Sequence, residues 1–189
     1  MGSYPVAVTL LSADEARQQM DAICDLYDEV FSVAPFVWPD GESQRHRKMM
    51  EQFVLDPTFG IVFAEATGQL AGCVYGVSLK PPTNWWDGFE VPVPDDVVRE
   101  WHERTFAVID LAVQQQWRRR GLGRDLMNTL LASRQEQRAT LAVQPQAADA
   151  HAFYTSIGGW ELLGRQFLPN AGYVHDRFDI YVKALGPNP

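Results

Sequence analysis

Apolar and polar residues alternate along parts of this chain and recur at helical spacing along others, and the switches between the two periods mark out its elements. Val6–Leu11 reads as a first strand. Ser12-Ala-Asp-Glu15 then supplies a capping box, with Ser12 at the N-cap and Glu15 at N3. The helix it opens carries Ala16, Met20, Ile23, Tyr27 and Val30 on one face. After a turn at Asp40–Ser43, a second helix is expected over about 42–55, stopped by Asp56-Pro57. Gly60–Ala66 and Leu70–Leu79, joined through Thr67-Gly68-Gln69, form a hairpin. Thr105–Val113 (TFAVIDLAV) is apolar on both faces, the pattern of a strand in the middle of a sheet. A helix over about 121–137 presents Leu122, Leu126, Met127, Leu130 and Leu131. Ala139–Val143 is the next strand, and a helix over 147–156 ends at Gly158-Gly159. Glu161–Phe167 and Phe178–Ala184 read as two closing strands. The order is strand, two helices, three strands, helix, strand, helix, two strands. That predicts an α/β fold on a mixed sheet, not a run of simple βαβ units.

One stretch breaks the pattern. Residues 81–104, PPTNWWDGFEVPVPDDVVREWHER, hold four prolines, three tryptophans, six acids and two bases. A structured surface insertion is expected there, with a short helix near Asp95–His102. No Gly/Ser linker or repeat divides the rest, so 1–189 reads as a single domain carrying that insertion.

Composition narrows the function. With 189 residues and 46% apolar content, the chain can bury roughly 70% of its unfolded surface and needs no disulfide or metal staple. Its two cysteines, Cys24 and Cys73, form no C-x-x-C pair, so no metal is expected, and Cys73 reads as a small buried hydrophobe. The start, MGSYPVAVTLLSADE, lacks the features of a secretion signal, and Val6 stands where a myristoylation motif beginning at Gly2 needs Ser or Thr. Apolar runs are too short to span a bilayer. A cytoplasmic protein with no membrane partner is expected. The net charge of −8 disfavours nucleic acid and favours approach of cations, amines among them.

The chemistry concentrates in Gln116-Trp-Arg-Arg-Arg-Gly-Leu-Gly-Arg124, which joins the central strand to an amphipathic helix. First-turn amides of a helix are free, and its dipole adds positive charge there. Gly121 and Gly123 let a large anion approach the backbone, and Arg118, Arg119, Arg120 and Arg124 add charge. Four clustered arginines alone would also suit a solvated helix start. A nucleotide-triphosphate loop would need Lys-Ser or Lys-Thr after the glycines, and a dinucleotide fingerprint would need glycine where Leu126 stands.

What remains, Arg118-x-x-Gly121-x-Gly123 between strand and helix, resembles the pyrophosphate loop R/Q-x-x-G-x-G/A of the GNAT superfamily of N-acetyltransferases. Ile109-Asp-Leu-Ala-Val113 is similar to the strand leading into that loop. Ala150-x-x-Phe153-Tyr154-x-x-x-Gly158-x-Trp160 resembles the family's A-x-x-F-Y-x-x-x-G-F segment. The resemblance covers about residues 105–165. It departs at Ala147, where the family often has Asn; Gln144 or Gln146 are the candidate replacements.

The resemblance implies a mixed central sheet splayed between its fourth and fifth strands, with acetyl-CoA lying in the splay between 105–113 and 139–143. The pantetheine arm would pair with the backbone of Leu111, Ala112 and Val113. The Val113 N–H would hold the thioester oxygen and the charge that develops on it. Amides from Arg119 through Arg120, Gly121, Leu122 and Gly123 to Arg124 would cradle the pyrophosphate. Tyr154 fits the position of the family's general acid; the alternative is a core aromatic beside Phe153.

An amine acceptor is mostly protonated at pH 7 and must lose a proton before attack. Asp110 is the first candidate base, because a charge inside an apolar strand is costly unless paired or used. It could instead be the hydrogen-bonded partner of a nearby Arg or backbone group. Glu65 is second and Glu103 third. His151 reads as exposed. Phe31–Trp38 (FSVAPFVW) would shape an acceptor site. Trp85, Trp86 and Trp101 would either wall a cation site or cover a sheet edge or partner subunit. The acceptor is thus expected to be a small-molecule or peptide amine, with a homodimer possible. The same fold also fits a non-catalytic acyl-CoA-binding sensor, or a transferase of longer acyl groups or to oxygen.

Overall fold

The computed structural model describes residues 6–169 and 176–186; Gly2, with the rest of the leading five residues, lies outside the described part. The chain forms two compact units, one of residues to Val77 plus Val108–Arg134, the other of Ser78–Ala107 plus the residues from Gln135.

In the first unit, β1 (Val6–Leu11) pairs antiparallel with β2 (Gly60–Ala66), from Val6 opposite Ala66 to Leu11 opposite Ile61. β2 returns as β3 (Gln69–Ser78) through Thr67 and Gly68, whose φ values of 54° and 76° are what a two-residue hairpin turn demands. β4 (Thr105–Val113) lies beside β3, with the Gln114 N–H donating to the Ala71 carbonyl at 3.0 Å. The two strands press close at Gly72. A Cβ there would lie 3.0 Å from the Ala112 carbonyl oxygen and 3.1 Å from Leu126 Cδ1.

Alternation assigns the faces. Ile61, Phe63, Cys73 and Tyr75 join Ala16, Ile23, Leu26 and Met50 from the helices α1 (Ala13–Gln18), α2 (Met20–Phe31) and α3 (Glu42–Phe53) in one core. The buried Leu126, Met127 and Leu130 belong to α5 (Leu122–Ala132), which packs on β1 and β2. The capping box forms as expected: Glu15 N–H donates to Ser12 Oγ at 3.2 Å and Ser12 N–H to the Glu15 carboxylate at 2.8 Å. The expected single first helix divides at Gln19, whose φ and ψ of −100° and 12° leave the helical region. α3 ends at Phe53, and Thr58 donates to Asp56 Oδ1 at 2.8 Å in the turn that follows. α5 stops five residues short of the expected Gln137, because Ser133 and Arg134 donate to Leu130 and Leu131 in a tightened last turn.

In the second unit, the start of β4 pairs in parallel with β5 (Arg138–Val143) through Thr105–Arg138, Phe106–Ala139 and Ala107–Thr140. β5 pairs antiparallel with β7 (Arg177–Ala184), and β7 with β6 (Glu161–Phe167). α6 spans Ala148–Ile157. Through both units the strand order is β1-β2-β3-β4-β5-β7-β6, with β4 shared. This is the mixed α/β sheet that the pattern predicts, with helices flanking it.

The insertion runs along β6. Phe89 bridges Gln166, Glu90 N–H donates to the Arg165 carbonyl at 2.9 Å, and Phe167 N–H donates to the Gly88 carbonyl at 2.7 Å. Gly88, at φ 75°, is required there, since a Cβ would lie 2.6 Å from the Phe167 carbonyl oxygen. Trp85 Nε1 donates to Thr140 Oγ1 at 3.2 Å, and Trp86 Nε1 to Glu100 at 3.0 Å. Trp85 thus reaches β5, an inner strand of the sheet, while Trp86 bonds within the insertion and lies under the Arg138 guanidinium, 4.8 Å from its ring centre. The insertion's helix, α4 (Asp95–Val98), is shorter than expected because Arg99 turns extended.

Candidate catalytic site

The strand-to-helix connection has the geometry its glycines suggest. After β4 comes one 3-10 turn (Gln115–Trp117), then an extended Arg118. Arg119 at φ 60° and Gly121 at φ 86° both occupy the left-handed region. Alternating conformations of this kind point successive N–H groups into one concavity. The backbone N–H groups of Arg120, Gly121, Leu122 and Gly123 find no acceptor among the described residues; those of Arg124 and Asp125 return to the Gly121 carbonyl. Nothing would lie within 4 Å of a Cβ on Gly121, so the loop is open on that side. Arg118 Nε donates to the Val113 carbonyl at 2.9 Å, and the Arg120 guanidinium sits 5.2 Å from the Trp117 ring centre. Four donors at the positive end of an 11-residue helix, ringed by exposed arginines, suit a multiply charged anion.

Three residues before Val113, on the same strand, Asp110 enters a chain of polar side chains. Its Oδ2 accepts a short hydrogen bond from the Tyr75 hydroxyl. Tyr75 is in turn 2.8 Å from His46 Nε2. The Tyr27 ring stacks on His46 with 3.5 Å between ring centres and 4° between planes, and its hydroxyl donates to Glu42 at 2.8 Å. Arg45 closes the cluster on Glu42 at 2.6 and 2.8 Å. Oδ1 of Asp110 accepts from no described residue, and it is not among the sealed, unpartnered atoms of the fold.

Burial pushes the Asp110 carboxyl up to about 6; the Tyr75 bond pulls it back, Glu42 raises it and Arg45 lowers it. Burial, with the charges of Arg45 and Arg47, brings His46 down to about 4, so its ring is neutral at pH 7. Burial raises the Tyr75 and Tyr27 hydroxyls, with Asp110 adding to both. A carboxylate that titrates near neutrality, with one oxygen open, can take a proton from a bound amine.

Asp110, Leu111, Ala112, Val113 and Arg118–Arg124 therefore fall on one continuous segment. Glu65 is exposed on β2 beside a bulge and takes no part in the Asp110 chain. Tyr154, Glu103 and His151 belong to the second unit. Tyr154 is buried, edge-on to Trp160 at 5.8 Å and to Phe153 at 5.1 Å. Glu103 is exposed. His151 is not exposed, as its place on the helix suggested, but half-buried: α6 packs on β7, and Nδ1 lies 2.8 Å from the Tyr181 hydroxyl. Of the acceptor-loop aromatics, Phe31 meets Tyr27 at 4.7 Å and Phe36 at 4.9 Å, and Trp38 meets Tyr27 at 5.7 Å. Gln146 is spent on Gln144, its Nε2 donating to Oε1 at 2.8 Å.

Sequence reasoning missed Tyr75, His46, Tyr27 and Glu42. The available signal was weak: His46 and Glu42 stand one helical turn apart in a helix that is polar along most of its length.

The family model for the Acetyltransferase (GNAT) family matches residues 20–159. The chain belongs to this family. Its fold is similar to the ribosomal-protein-S18-alanine N-acetyltransferase from Escherichia coli, at 16% identity and a TM-score of 0.63, over 96% of this chain and 95% of that one. It is similar to aminoglycoside 6'-acetyltransferase type Ii, at 18% identity and 0.66, over 97% and 99%. A protein from Salmonella typhimurium solved with its cofactor acetyl-CoA matches at 12% identity and 0.66, over 98% and 96%. At these identities the likeness concerns the fold. No curated protein matches the chain in sequence.

Proposed function

We propose that this acetyltransferase moves the acetyl group of acetyl-CoA to a primary amine, which attacks directly. The observation that carries the reading is the row of unpartnered N–H groups from Arg120 to Gly123, on the segment that begins with Asp110. Four free donors, two left-handed residues and an open glycine fit a diphosphate.

Acetyl-CoA supplies the acyl group as a reactive thioester. Arg118–Arg124 bind its pyrophosphate. Leu111, Ala112 and Val113 pair with its pantetheine arm, and the Val113 N–H orients the carbonyl oxygen and stabilises charge developing on it. Asp110 Oδ1 takes a proton from the acceptor amine: an N–H bond breaks and an O–H bond forms. The C–N bond to the acetyl carbon forms as the C–S bond breaks and CoA leaves; the match of Phe153-Tyr154 to the family's segment makes Tyr154 the candidate general acid for that sulfur. Two structural neighbours are named for acetylating a protein alanine and an aminoglycoside, which supports an amine as the acceptor class. A net charge of −8 favours a cationic one.

Release of free thiol from acetyl-CoA, followed over a panel of polyamines, aminoglycosides, amino acids and peptides, tests this. Turnover with at least one cationic amine is expected. Tight CoA binding with no thiol release under any acceptor would point to a sensor instead. Gly123→Asp puts a carboxylate into the N–H row and should weaken CoA binding at least tenfold in a folded protein, measured by calorimetry. Unchanged affinity would remove the loop from the site.

A further inference from the structure

The hydroxyl of Tyr75 has one hydrogen, and Asp110 Oδ2 receives it. The contact of 2.8 Å between that same oxygen and His46 Nε2 must then carry its hydrogen on the nitrogen. His46 is a neutral ring protonated at Nε2, which leaves Nδ1 bare. Nδ1 is indeed sealed and has no partner. An orphaned buried acceptor is costly, so its presence calls for an explanation. Nδ1 has no partner in either tautomer; protonation at Nε2 leaves it a bare acceptor and makes His46 a donor to Tyr75.

We propose that His46 and Tyr75 are positioning residues, two donors in series that occupy Asp110 Oδ2, lock the carboxyl's orientation and leave Oδ1 as the oxygen that receives the acceptor's proton. This rests on the reading of Asp110 as the base. The protons of Tyr75 and His46 stay in place during transfer; only the amine N–H bond breaks and the Oδ1–H bond forms. The pair is held from outside. Tyr27 from α2 covers the imidazole face, and Glu42 and Arg45 from α3 fix Tyr27.

The ionisable groups around the carboxyl are Tyr27 on α2, Glu42 and Arg45 on α3, and Cys73 and Tyr75 on β3. Cys73 and the two tyrosines are held protonated by burial, and Glu42 and Arg45 oppose each other. The donor that favours the charged form of Asp110 is Tyr75. Removing it must move the carboxyl's titration upward, and the rising limb of the rate profile with it.

The test is carbon NMR titration of the full chain labelled at its Asp carboxyls, with Asp110→Asn assigning the resonance. It is read beside kcat/KM against pH with the best amine of the acceptor panel. Tyr75→Phe should raise the Asp110 midpoint by about one pH unit. His46→Leu should raise it by less, and His46→Gln, which keeps an N–H near the Nε2 position, should return it toward the wild type. A merely structural role would not move a titration and then restore it. A midpoint that stays put in both Tyr75→Phe and His46→Leu overturns the positioning role, even if Asp110→Asn abolishes transfer. If Tyr75→Phe does not fold, the two His46 variants decide alone. Wild-type turnover in Asp110→Asn would overturn the base reading instead, whatever the titrations show.

Discussion

Asp110 and Asp179 are two carboxylates drawn inward on strands, and their partners differ in kind. Asp179 meets the Arg165 guanidinium on both oxygens, at 2.6 and 2.9 Å, with His151 Nε2 at 3.7 Å. Glu100, in the same unit, is served by Arg138 at 2.9 Å, Trp86 at 3.0 Å and Thr105 at 2.7 Å. Asp110 receives one hydrogen bond, from a neutral tyrosine. A carboxylate with a fitted guanidinium is an anchor whose charge is answered at all times. A carboxylate with a neutral donor and no cation in contact is desolvated without that answer, and its affinity for a proton rises. One arrangement fixes the fold; the other prepares a group for proton traffic.

The sharpest way to break the comparison is Asp110→Asn. Turnover should fall by about 10²–10⁴-fold, the usual worth of a positioned base, with thermal stability kept or raised. A thiol-release rate within a factor of two of wild type would erase the distinction. Next comes Arg138→Met, which strands Glu100. Loss of one partner of a buried pair costs about 3–5 kcal/mol, so the urea midpoint should drop substantially. A midpoint equal to that of Asp110→Asn would show the two carboxylates to be alike.

Gly72→Val tests whether the close strands beside Ala112 tolerate bulk. Overpacking there should cost about 1–3 kcal/mol and slow turnover by displacing the Ala112 carbonyl. Equal stability together with an equal rate would mean the spacing is slack. Ser12→Ala, remote from both carboxylates, should cost about 1 kcal/mol in thermal melts and leave kcat/KM alone.

Acid sharpens the contrast further. Folded Asp110 titrates near 6, above its unfolded value, so it contributes stability below the unfolded carboxylic range that is lost as pH rises through about 6. Folded His46 titrates near 4, below its unfolded value, so its contribution is present above the ordinary imidazole range and is lost as pH falls toward about 4. The two oppose each other between about pH 4 and about 6. Removing the carboxyl with Asp110→Asn should leave the histidine's slope alone. The stability of that variant should therefore fall more steeply with acid than the wild type's, as urea midpoints across this range would show.

The sequence made much of this visible, for reasons that lie in particular residues. Strand β4 announced itself by length and two-sided apolarity, and its one acid stood out against that background. The capping box and the Arg118–Gly123 loop are local, so three to six residues carry their whole geometry. Tyr75 and His46 were hidden because their meaning is cross-element. Tyr75 looked like an ordinary aromatic in a strand, and its partner Asp110 lies 35 residues on, across an insertion that conceals the strand register. His151 was misjudged for a related reason: helical spacing gives its face, not the strand that covers that face. The break at Gln19 has no composition signal, as neither Gly nor Pro stands there.

The insertion's path along β6 has a practical meaning. Phe89 and Glu90 engage backbone groups on β6's outer side, and Leu162 and Phe167 nearby are 58% and 38% exposed. Trimming residues 81–104 to make a minimal protein would bare a ready template for another chain's strand. Such a truncation would also remove Glu100 from Arg138, so stability and solubility, not chemistry, would be the first things it lost.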